Sequence, residues 1–169
     1  MFVVAAATLL VVRPALAQVA PDGEWVTART AHFRVTYPVG LDSLARHAGE
    51  AAERAYAKLV PRLGAPPDAT IELLLSDDID VTNGFASPAP YPRMTLYAQA
   101  PFDDIELAAY DDWFDILITH ELAHLFHLDV TGSLGRGLRR VFGRVPMGWP
   151  LYPHVTTPTW TSEGLAVYY

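Results

Sequence analysis

Apolar and polar residues alternate strictly along residues 32–37, H-F-R-V-T-Y, with Phe33, Val35 and Tyr37 on one side. A period of two marks a strand with one buried face. The period then changes. Leu41, Leu44, Ala48, Ala52, Ala55 and Leu59 recur at helical spacing, which predicts a helix over 41–60. Asp42 and Ser43 are placed to cap its start, and Pro61, which lacks a backbone N–H, is expected to end it. Residues 70–75, T-I-E-L-L-L, read as a buried strand closed by the acidic turn Ser76-Asp77-Asp78. Strand, helix and strand at this spacing predict a right-handed crossover between two parallel strands.

Asn83-Gly84 and the prolines at 88, 90 and 92 predict an irregular loop over 83–92. Residues 93–99, R-M-T-L-Y-A-Q, alternate again and read as a third strand. Prolines before it and Pro101 after it suit a sheet edge, where a missing donor does least harm. A helix follows, capped by Asp111 or Asp112, with Trp113, Ile116, Leu117, Leu122, Leu125 and Phe126 as its buried surface. Residues 131–150 are rich in glycine and arginine (Arg136, Arg139, Arg140 and Arg144), forming a loop-dominated excursion with room for one short helix. This is the basic patch of the chain, and a solvated surface is its expected role. Residues 158–169, P-T-W-T-S-E-G-L-A-V-Y-Y, read as the start of another helix.

The composition narrows the function. With 169 residues, 51% of them apolar, the chain supports one core and one domain. A net charge of −7 argues against a nucleic-acid partner, whose phosphates attract basic surfaces. There is no cysteine, which excludes disulfides, thiolate metal sites and a thiol nucleophile. Any metal must be held by His, Asp or Glu.

Residues 2–12, F-V-V-A-A-A-T-L-L-V-V, are apolar but too few to span a bilayer. Arg13-Pro14 follows, then Ala15-Leu16-Ala17, a small-x-small cleavage signature. Residues 1–17 are therefore expected to be a secretory signal peptide; no Lys or Arg precedes the apolar run, so either the start is mis-called or clipped or the α-amino group is the only positive charge there. The mature protein is expected to begin at Gln18, to be exported and to keep no membrane span. At the other end, Tyr168-Tyr169 falls inside an apolar segment without a helix-stop residue. Residues 18–169 are thus expected to be a domain truncated at its C-terminus.

The chemistry concentrates in residues 119–124, T-H-E-L-A-H. On a helix His120 and His124, four apart, point the same way, and Glu121 lies about 100° round from His120. Two imidazoles with a carboxylate beside them suit a zinc ion and the base that works with it. Catalytic zinc takes three protein ligands and leaves the fourth position to water, so a third ligand is needed. His127 lies a full turn beyond His124, and one ion does not easily reach three successive turns of a straight helix. A histidine six positions after His124 is absent, since that residue is Val130. His154 sits in a proline-rich loop with nothing to fix it. Glu163 lies on the next predicted helix, followed by Gly164 and Ala166, small enough for close backbone approach. The same glutamate also suits position N3 of a helix start, beside Trp160 or Thr161, where the helix dipole favours an anion. His32 and His47, on the early strand and helix, read as ordinary histidines.

Together, H120-E-L-A-H124 and the later run Pro158, Trp160, Glu163, Gly164, Ala166, Tyr168 match the pattern H-E-x-x-H, variable loop, P-x-W-x-x-E-G-x-A-x-Y. This resembles the gluzincins, zinc peptidases with a glutamate third ligand, and within them the peptidase MA-like branch of bacterial exported proteins. The H-F-R-V-T-Y strand, the N-G turn and the strand after it are also similar, so the resemblance covers most of residues 25–169. It implies a zincin-like α+β fold: a small mixed sheet with an antiparallel edge strand, packed on the H-E-x-x-H helix and a following helix carrying the glutamate. It implies Zn2+ held by His120, His124 and Glu163, with Glu121 as general base in peptide hydrolysis. The substrate would be a peptide or protein, added as an extra strand to the edge strand at 93–99. Members often continue into a C-terminal β-propeller. A non-catalytic metal-binding or scaffold module beside such a propeller is the rival reading. Two features differ: Val167 stands where thermolysin-like enzymes carry an aspartate, and no later Tyr or His that would steady an oxyanion is identifiable.

Overall fold

The computed structural model describes residues 23–64, 66–77, 83–97 and 113–169. The expected signal segment, the caps Asp111 and Asp112, and the last two residues of the predicted 93–99 strand lie outside them. Five strands form one mixed sheet: β1 (Trp25–Arg29), β2 (Phe33–Pro38), β3 (Ile71–Ser76), β4 (Gly84–Ser87) and β5 (Arg93–Tyr97), in the order β1-β2-β3-β5-β4. The two central pairings, β2 with β3 and β3 with β5, are parallel, and the outer two are antiparallel. Four helices accompany them: α1 (Asp42–Leu63), α2 (Trp113–Asp129), α3 (Ser133–Phe142) and α4 (Thr159–Tyr168).

The alternation of β2 does what its period requires. Phe33, Val35 and Tyr37 are buried, and register aligns Phe33 with Ile71, Val35 with Leu73, Leu73 with Met94 and Leu75 with Leu96. One face of the sheet is therefore continuous and apolar. The opposite face carries the pairs between, such as Arg34 with Glu72, whose Nε–Oε2 bond is 2.8 Å. The helices serve the apolar face. α1 does so with Ala45, Ala48, Ala51, Ala52 and Ala55, whose small side chains let it lie close to β2 and α2. α2 buries Phe114, Leu117, Ile118, Leu122, Leu125 and Phe126 over β4 and β5, and α4 rests on α2 through Ala166. Ile116, expected inside, is exposed.

Several sequence expectations need correction. The edges are β1 and, on the side of α2, β4, not 93–99: β5 lies between β3 and β4. Its flanking prolines fall in the β4–β5 connection, so residues 93–97 keep their donors and can pair on both sides. The loop expected over 83–92 begins with those four residues of strand, too few to show a period. α1 continues past Pro61 to Leu63, and neither Asp42 nor Ser43 caps it; Leu41 is the N-cap, without a side-chain bond. Asp42 instead accepts a 3.2 Å bond from the Tyr37 hydroxyl. The arginine-rich excursion contains the ten-residue helix α3, and two of its arginines, Arg139 and Arg144, are largely withdrawn from the surface and paired with Asp129. The strand β1, absent from the sequence reading, is mostly exposed and shows no buried alternation. Among the described residues no helix is long and apolar enough to cross a membrane.

Candidate metal centre

The four-residue spacing on α2 sets His120 and His124 one above the other, with ring centroids 4.6 Å apart and Nε2 atoms 3.0 Å apart. α4 brings Glu163 across to them: its Oε2 lies 3.2 Å from the Nε2 of His120 and 3.4 Å from that of His124. One ligand atom from each of the three residues lies within 4.8 Å of the other two. Burial pushes the His120 pKa down, and the neighbouring His124 adds to this against the opposing pull of Glu163. A neutral imidazole keeps a lone pair free for a metal. These three side chains could together hold a cation.

α4 can present Glu163 because Ala166, buried against α2, allows the helices to approach. Gly164 takes no part in that approach, since a Cβ there would meet nothing within 4 Å. The capping reading of Glu163 also fails: the helix begins at Thr159 after an N-cap at Pro158, which puts the glutamate in the second turn.

Glu121 sits beside this group with 6% of its surface exposed, behind the edge strand β4. Burial first, and the Glu163 carboxylate second, raise its pKa to about 7. Two clefts meet here. One, of about 380 Å³, runs between Asn83–Ala86 and Glu163; the other, of about 770 Å³, opens on the far side of His120 and Glu121, against Ala51, Ala55 and Val167.

The other histidines are accounted for elsewhere. His127 and His154, weighed as third ligands, bond to each other at 3.0 Å, between Nε2 and Nδ1. His32 is bonded to Glu53 at 2.7 Å and stacks on Tyr56, while His47 stacks on Phe114. At the C-terminal end of α2, Asp129 is buried between Arg139 and Arg144. Asp129 carries no signal in the sequence, and Gly84 reads there only as half of an Asn-Gly turn, whereas in the fold it lies against Glu121.

Comparison of the chain with protein-family models, with characterised proteins and with solved structures finds no match.

Proposed function

We propose that this chain is the catalytic domain of an exported zinc peptidase of gluzincin type, with His120, His124 and Glu163 as ligands and Glu121 as general base. One observation carries the reading. Ligand atoms around tetrahedral zinc, with bonds near 2.0–2.1 Å, stand about 3.3 Å apart. The three candidate atoms here are separated by 3.0, 3.2 and 3.4 Å, with a buried carboxyl beside them.

When bound, the ion supplies Lewis acidity towards a peptide carbonyl and makes an attacking water more acidic. The remaining work belongs to the protein. Glu121, with a pKa near 7, accepts the proton of the attacking water and hands it to the departing amine. The substrate lies as an added strand along β4. There Asn83 O accepts the Tyr97 N–H at 3.0 Å, so by the alternation of an antiparallel ladder the Gly84 carbonyl and the backbone groups of Ala86 turn to the free edge, while the Gly84 N–H is taken by Asn83 Oδ1. The larger cleft, mostly apolar, takes a side chain next to the scissile bond.

The test combines metal analysis with a substrate panel. Purified protein should carry one zinc per chain and cleave peptides, with activity abolished by a chelator and restored by zinc. Zinc binding without cleavage of any peptide would move the non-catalytic reading ahead, and cleavage of esters alone would replace the substrate class.

A further inference from the structure

The Glu121 carboxyl is seated against backbone rather than a side chain. β4 passes α2 with the inner sides of Gly84 and Ala86 towards the helix, while Phe85 turns to the opposite face and meets Tyr97 edge-on. A Cβ at Gly84 would stand 2.6 Å from Cγ of Glu121, 2.9 Å from Cδ and 2.9 Å from Oε1. Carbons in ordinary contact lie about 3.5–4.0 Å apart, so any side chain at 84 displaces the carboxyl by roughly 1 Å.

Neither partner is free to retreat. Gly84 to Ser87 pair residue by residue with Leu96 to Arg93, and the Gly84 N–H donates to Asn83 Oδ1 at 2.8 Å. On the helix side, Ile118 and Leu122 flank Glu121 and are fully buried. The glutamate side chain is the one part that can yield.

We propose that Gly84 is a positioning residue: the space left by its missing side chain is where the Glu121 carboxyl stands, in the cleft that both share with His120 and His124. The packing stands on geometry alone, and its consequence for rate rests on the reading of Glu121 as the base.

Four forms of the full chain separate the two: wild type, Gly84→Ala, Glu121→Ala and the double variant. Gly84→Ala should lower Tm by about 3–10 °C in the wild-type background, as overpacking does. In the Glu121→Ala background the same change should cost less than about 2 °C, because the atoms it collides with are gone. Equal losses in both backgrounds overturn the proposal. If Gly84→Ala fails to fold, folding of the double variant supports it and failure of both overturns it. For the rate, Gly84→Ala should lower kcat about 100-fold, the usual effect of a displacement near 1 Å, with zinc per chain unchanged and KM within about threefold. An unchanged kcat, or a loss of zinc in step with activity, overturns the positioning role. A wild type inactive on every peptide defeats the functional reading instead, and the melts still decide the packing.

Discussion

α2 carries two clusters of ionisable groups, and they are built on opposite principles. At its C-terminal end Asp129 accepts from the Nη1 of Arg139 at 3.1 Å and from Arg144, whose Nη1 also reaches the carbonyl of Pro88 at 3.2 Å. Arg139 further donates to the carbonyls of Asp129 and Leu151, at 3.0 and 2.6 Å, and lies over the Tyr152 ring. Burial alone would push the Arg144 pKa down; the bonds to Asp129 and Asp68 override it and raise it. Opposite charges answer each other there, and the helix end, where an aspartate opposes the dipole, is neutralised. In the middle of the helix the arrangement is reversed. Two imidazoles face each other and share one half-exposed carboxylate, with a buried acid alongside. The first cluster pairs its charges internally, leaving only the buried Arg139 Nε without a partner among the described residues, and ties α2 to the β4–β5 connection through Pro88. The second offers lone pairs to something else. A network of paired opposite charges holds a fold together, whereas a concentration of acceptors is what a cation needs.

That contrast can be broken by experiment. The largest effect belongs to the open cluster: Glu121→Gln should cut peptide hydrolysis by about 10²–10⁴-fold, the usual worth of a positioned base, while zinc content stays unchanged. Unchanged turnover would remove Glu121 from the chemistry. Next, Asp129→Ala should destabilise by about 3–5 kcal/mol, because it removes the buried carboxylate on which Arg139 and Arg144 converge. In the same urea titration on chelated protein, His124→Ala should change little, although it should abolish tight zinc binding. A comparable loss from both would mean that the two clusters are alike.

The smallest effect sharpens the electrostatics. In chelated protein Glu121 holds its proton up to about pH 7, against an ordinary glutamate value of 4.5. Between those values the native state binds more protons than the unfolded chain, so stability should fall as pH rises through that window. The total is roughly 3 kcal/mol, readable as Tm against pH. Glu121→Gln should flatten the slope. A slope that persists in that variant would assign the titration to another group.

Much of the centre was legible because it is local. His120, Glu121 and His124 need only one helix, and the i, i+4 rule sets their directions. Glu163 was legible as a member of a second helix, one of several candidates. The role of Gly84 was not legible. Gly-Phe-Ala-Ser becomes strand only because β5 holds it, and the prolines that follow made a loop the natural reading. The arginines misled for a similar reason: on periodicity alone Arg139 and Arg144 belong to the surface, and only Asp129 makes their burial tolerable.

By itself, the sequence determined what short-range backbone geometry controls: the buried side of β2, the faces of α1 and α2, and the placing of His120 and His124 on one side of the helix. Those features depend on residues within a turn or two, where hydrogen-bond spacing fixes the period. The tertiary structure alone decided which strand forms the edge, that Glu163 rather than His127 or His154 reaches the two imidazoles, and how strongly Glu121 is desolvated. Each of these depends on segments far apart in the chain being brought to contact. Position and burial there come from packing across the whole core, which no local pattern of residues encodes.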